Sequence, residues 1–153
     1  MSVKASERNE SKTEYIEAAR RLAVEVSKIM ANGPKKYGAS HGDHIVKSAL
    51  SIYEHCQIAQ SIWVAKGGNA EADHAQRRWH LKEAKGLVNH VAAAIKVYFD
   101  IVKDSDKYEP EKATRQMHRV GDMCSRLSAL LSGTIDWDAQ HMREIRKKMG
   151  EQQ

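Results

Sequence analysis

The sequence predicts an all-α protein, an up-and-down antiparallel four-helix bundle with a short C-terminal extension. Three observations predict it. Apolar residues recur at steps of three and four over long stretches, the period of a helix with one buried face. Only 9 glycines and 2 prolines punctuate 153 residues, so helices have few places to break. No stretch of useful length alternates apolar and polar residues, so no strand is expected. The length suits one domain with a real core. The expected division is a disordered N-terminus over 1–10, the bundle over 11–133, and a basic C-terminal segment over 134–153, with room for a short fifth helix.

Each element has its own signals. The first helix is expected from Ser11, where Ser11 and Glu14 have capping-box spacing. Its stripe is Tyr15, Ala19, Leu22, Val26 and Ile29, and Asn32-Gly33-Pro34 stops it. Gly33 is expected in a left-handed C-cap, and Pro34 cannot continue the ladder. The second helix is expected from Ser40 to Asp43, with Ser40 as its cap. Its stripe is Ile45, Ala49, Ile52, Cys56, Ala59 and Trp63. Lys66-Gly67-Gly68-Asn69 reads as a turn, with Asn69 as the next N-cap. The third helix runs from about Ala70 to Val102 on Ala84, Leu87, Val91, Ala94, Tyr98 and Ile101. Its rhythm fits bundle packing. Pro110 suits the first turn of the fourth helix, whose stripe is Ala113, Met117, Val120, Cys124, Leu127 and Leu131. Ser132-Gly133 is expected to end it.

Composition narrows function without fixing it. Lys and Arg number 25 against 20 Asp and Glu, a formal net charge of +5. That balance permits a polyanionic partner but is too mild for a histone-like protein. Two cysteines, Cys56 and Cys124, are too few for a disulfide framework or a zinc module, and both fall on apolar stripes. The first residues lack the apolar run of a signal peptide, and no stretch has the ~20 apolar residues of a membrane span. A cytoplasmic location without membrane partners is expected.

Three enzymatic readings fail on context. Gly38-Ala39-Ser40-His41-Gly42 matches the Gly-x-Ser-x-Gly nucleophile elbow, but that elbow needs a strand before it. Here a helix precedes it. His41/His44, Glu71/His74 and Asp138/His141 have the three-residue spacing of helical metal ligands. A bundle-core di-metal site also needs carboxylates on the other helices, where these stripes are apolar. No arginine stands at the Arg-to-His motif spacing of the helical HEPN ribonucleases, so no acid–base pair is placed. No catalytic residue, cofactor or metal ligand is therefore expected. Trp63, Trp79 and Trp137 could stack on bases, but core or subunit-contact roles are more usual for tryptophan.

The remaining signal is basic. Lys35, Lys36 and Lys47 surround the first turn, and Arg77, Arg78, Lys82 and Lys85 lie on the third helix. Arg143, Arg146, Lys147 and Lys148 face only Glu144 and Glu151 in the last fifteen residues. Positions 78, 82 and 85 share one helical face. Such groups track phosphates without reading bases.

The first helix ends in Gly-Pro-Lys-Lys-Tyr-Gly, and the second follows as Ile-Val-Lys-Ser-Ala-Leu-Ser-Ile-Tyr-Glu-His-Cys. After the Gly-rich turn comes Arg-Trp-His-Leu-Lys-Glu-Ala-Lys-Gly-Leu-Val-Asn-His-Val, then Tyr98-Phe99. This pattern, over about 15–131, resembles the four-helix-bundle family of the accessory variability determinant of diversity-generating retroelements. The ribosomal-RNA intervening-sequence proteins belong to the same family. The resemblance implies a bundle without enzymatic activity, assembled as a homopentamer with a basic surface, that binds nucleic acid and a reverse transcriptase. It implies that Lys35 and Lys36 match the family's basic turn, and that Arg77, Arg78, Lys82 and Lys85 match its basic third helix. The segment after Gly133 departs from the family pattern. The alternative is an oligomeric interaction scaffold whose charge is incidental.

Overall fold

The computed structural model describes the backbone of residues 5–151 and the side chains of 13–151. Four long helices carry the fold: α1 (Ala5–Ala31), α2 (Asp43–Ser61), α3 (Ala70–Val102) and α4 (Pro110–Gly150). Among the described residues there is no strand. The helices form a ring of neighbours in which α1 touches α2, α2 touches α3, α3 touches α4, and α4 returns to α1. Side-chain pairs across the seams give the local register. Tyr15 bonds Gln60 between α1 and α2, and His44 and His55 of α2 meet His90 and His80 of α3. Glu14 and Glu25 of α1 pair with Arg126 and Arg119 of α4.

The core follows from the stripes. Tyr15, Leu22, Val26, Ile52, Leu81, Val91, Ile95, Leu127 and Leu131 are all nearly or wholly inaccessible. Burial of this kind, at roughly 25 cal/mol per Å² of apolar surface, drives the assembly of such helices. On α3 the buried line runs Leu81, Ala84, Val88, Val91, Ile95, Tyr98 and Val102. Leu87, Ala94 and Ile101, expected on it, sit at its margin. A helix with neighbours on both sides buries a wider arc than one stripe, and the most buried line lies one residue along.

Several boundaries differ from expectation. α1 begins at Ala5, so Ser11 lies inside it and is not a backbone N-terminus. Residues 1–4 of the segment expected to be disordered lie outside the described residues. Between α1 and α2 the chain makes a helical turn at Lys35–Tyr37 and a π turn at Gly38–Gly42. Ser40 therefore caps nothing, and its hydroxyl meets the His41 ring at 2.7 Å. Asn69 precedes α3 without a side-chain capping bond; its carbonyl accepts from the Asp73 amide at 2.9 Å. Pro110 does occupy the first turn of α4.

Two corrections matter most. No glycine has positive φ among the described residues, so Gly33 is not a left-handed cap. It is required by close approach: a Cβ there would lie 1.9 Å from the Tyr98 hydroxyl oxygen. Gly133 does not end α4, which runs unbroken to Gly150. The apolar rhythm continues through Ile135, Met142 and Ile145, and a second small core of Ala70, Met142 and Ile145 with Val64 holds the extension. Tertiary burial there outweighs the roughly 1 kcal/mol cost of one helical glycine.

Candidate nucleic-acid interface

Helix geometry separates the basic residues into different environments. Arg77 points inward. Its side chain is 12% exposed, its Nε donates to Asp138 Oδ2 at 2.6 Å, and its Nη1 donates to the Ala59 carbonyl at 2.6 Å. This guanidinium is committed to the protein and is withdrawn from the expected basic set. Its neighbours form a polar cluster where all four helices meet. Tyr15 donates to Gln60 at 2.9 Å, and burial pushes its phenol up to about 12. His74 is buried with no partner at Nε2, and desolvation lowers its pKa against the opposing pull of Asp138.

Arg146 is also paired. Its Nε and Nη2 donate to the two Glu71 oxygens at 2.5 and 2.8 Å in a fork that holds Glu71 below the usual carboxylate range. Arg143, Lys147 and Lys148 are exposed on the last turns of α4. Lys35 and Lys36 are exposed on the helical turn after α1, with the Lys36 ammonium 5.5 Å from the Tyr37 ring centroid. Lys47 is exposed on α2.

Arg78, Lys82 and Lys85 remain together, as their spacing predicts. Arg78 and Lys82 are exposed and Lys85 is half-buried. Among the described residues none of the three forms an ion pair. Continuing that face by steps of four and seven adds Asn89 and Lys96. Lys82, Lys85, Asn89 and Lys96 border a groove between α3 and α4. One section, about 570 Å³, is lined by Asn89, Lys96, Ser125, Ser128 and Ser132 among others. The adjoining section, about 360 Å³, is lined by Lys82, Lys85, Asn89, Ser132 and Asp136. Asn89 and Ser132 line both, so the groove is continuous. Sequence reasoning missed Lys96 and the serines. Their signal was available in the spacing, since 125, 128 and 132 repeat on α4 at steps of three and four.

The chain matches no family model, no curated protein and no solved structure.

Trp63 lies beyond the end of α2 and is 81% exposed, which removes it from the α2 stripe. Trp79 and Trp137 are also largely exposed, so none of the three tryptophans is core. Trp79 meets His55 and His80 edge-on, and Trp137 stacks on His141. Gly38–Gly42 is a turn between helices with no strand before it, and Ser40 has only the adjacent His41 as partner. Of the metal-spaced pairs, Asp138 is bonded to Arg77, Glu71 to Arg146, and His141 to the Val64 carbonyl. Among the described residues no three such side chains form a group able to hold a metal. No helix of the described residues is long and apolar enough to cross a membrane.

Proposed function

We propose that this chain is a non-enzymatic nucleic-acid-binding accessory subunit. In this reading it is an up-and-down bundle that self-associates, holds RNA or cDNA through phosphates, and docks on a reverse transcriptase. One observation carries the nucleic-acid part: Arg78, Lys82 and Lys85 stand on one face of a rigid helix without carboxylate partners. Unpaired cations fixed on a helix gain counterion-release affinity for phosphates at little ordering cost. The polymerase and the pentamer rest on the resemblance to the accessory-determinant bundles. Exposed Leu50, Ile58 and Trp79 add apolar surface suited to self-association. That same surface favours the second reading, an oligomeric scaffold that binds no nucleic acid.

The test is binding to a structured RNA and a matched DNA at low and moderate salt. Affinity should fall linearly on a log–log salt plot, and Arg78→Glu with Lys82→Glu should abolish binding while helicity is retained. No binding at low salt leaves the scaffold reading in place. Co-purification with a reverse transcriptase encoded beside the chain tests the partner separately.

A further inference from the structure

The α3/α4 groove has a chemistry that the exposed-face argument does not use. Its α3 wall carries Lys82, Lys85 and Lys96, none in an ion pair among the described residues. Its α4 wall carries Ser125, Ser128 and Ser132, whose hydroxyls make no hydrogen bond among the described residues. Ser27, Ser48, Thr114 and Thr134 each donate to the carbonyl four residues back, while Ser51 on α2, outside the groove, makes no hydrogen bond among the described residues. The groove serine hydroxyls are thus not committed to the helix backbone, and they share the groove with ammonium groups that have no carboxylate partner. Asp136, at one end, is the single carboxylate lining either section.

We propose that this groove is a track for the phosphodiester backbone of single-stranded nucleic acid. Lys82 and Lys85 neutralise phosphate charge at one end of the track and Lys96 at the other, and the three serines donate to phosphate oxygens from the opposite wall. The inference rests on the nucleic-acid reading above and gives it a location and a strand preference. Lys82 and Lys96 are fourteen positions apart, about 21 Å along a helix at 1.5 Å per residue, room for several nucleotides of extended strand. The track runs along the seam of two packed helices, and a flexible single strand can follow it. A duplex strand winds about its axis once in about 34 Å and leaves a straight line after a few phosphates. Neither section has an aromatic lining residue, so no base is stacked there. Contacts confined to phosphates position a strand without specifying its sequence.

The experiment measures fluorescence anisotropy of the full chain with labelled oligouridine, oligodeoxythymidine and a duplex of equal length, over a salt series. Lys96→Gln is compared with Lys28→Gln, an equal charge change on α1, exposed and outside the groove. Lys96→Gln should weaken single-strand binding several-fold and flatten the log–log salt slope by about 0.7, the value for one phosphate contact on a single strand. Lys28→Gln should do neither. Replacing all three serines with alanine should weaken binding and leave the slope unchanged, because a hydroxyl releases no counterion. If wild-type chain binds and Lys96→Gln behaves as Lys28→Gln, the groove is wrong while the nucleic-acid reading stands. If wild-type chain binds nothing at low salt, both fall. Equal affinity for the duplex overturns the strand preference. Circular dichroism and melting of each variant exclude misfolding as the cause.

Discussion

Replacing Asp138 with alanine tests how the four helices are tied together. The Asp138 side chain is 5% exposed and Arg77 is 12% exposed, so neither charge is hydrated at its bond. Removing the carboxylate leaves the guanidinium buried with only the neutral Ala59 carbonyl and Tyr15 phenol beside it. Breaking a buried pair in this way costs about 3–5 kcal/mol, because the surviving charge keeps its desolvation penalty. At about 2–4 °C per kcal/mol for a chain of this size, the melting temperature should fall by roughly 6–20 °C. The pair itself is a weak source of stability, since its Coulomb gain is largely offset by desolvation. The double variant Arg77→Met with Asp138→Leu should therefore recover most of the loss. Urea unfolding followed by far-ultraviolet circular dichroism measures both. A single-variant loss below about 1 kcal/mol would mean that water reaches the pair and that this account of it is wrong. A double variant no better than the single would show that the ion pair, and not the stranded charge, carries the energy.

Four further outcomes are expected. Gly133→Ala should stabilise the chain by up to about 1 kcal/mol, because a Cβ there meets open space inside a continuous helix; a loss of stability would argue for a break at that point. Gly33→Ala should destabilise it, since the Tyr98 ring must move out of a packed position; unchanged urea unfolding would contradict the close approach. Burial pushes the Cys56 and Cys124 thiols up to about 12 and about 11, so both should resist iodoacetamide in the native chain and react after denaturation. Rapid native labelling of either would place it outside the core. Burial also lowers the pKa of His74 and His80 below the ordinary imidazole value of 6.5. The unfolded chain then binds more protons in the window just below that value, so stability should fall as pH drops through it and be complete above it. His74→Leu should reduce that dependence, and an undiminished pH slope would exclude His74 as a source.

What the sequence made legible was local. Stripes at steps of three and four located all four helices, and Pro110 marked the start of α4 correctly. What it concealed depended on distant partners. Gly133 reads as a stop only until Met142 and Ile145 find Ala70 and Val64, residues more than sixty positions earlier. Gly33 reads as a backbone device, yet its need is set by Tyr98 on another helix. The basic set was the most misleading, because a charge was read as a surface. Periodicity already contained the remedy. Arg77 stands four before Leu81 and seven before Ala84, on the line that buries α3. Asp138 stands seven after Leu131 and four before Met142, on the line that buries α4. A positive and a negative residue on the core lines of consecutive helices have few outcomes other than each other, since an unpaired buried charge is so costly. Filtered by helical face before being counted, the same sequence separates Arg77 from Arg78, Lys82 and Lys85. It also leads along the retained face to Lys96, the residue on which the groove stands or falls.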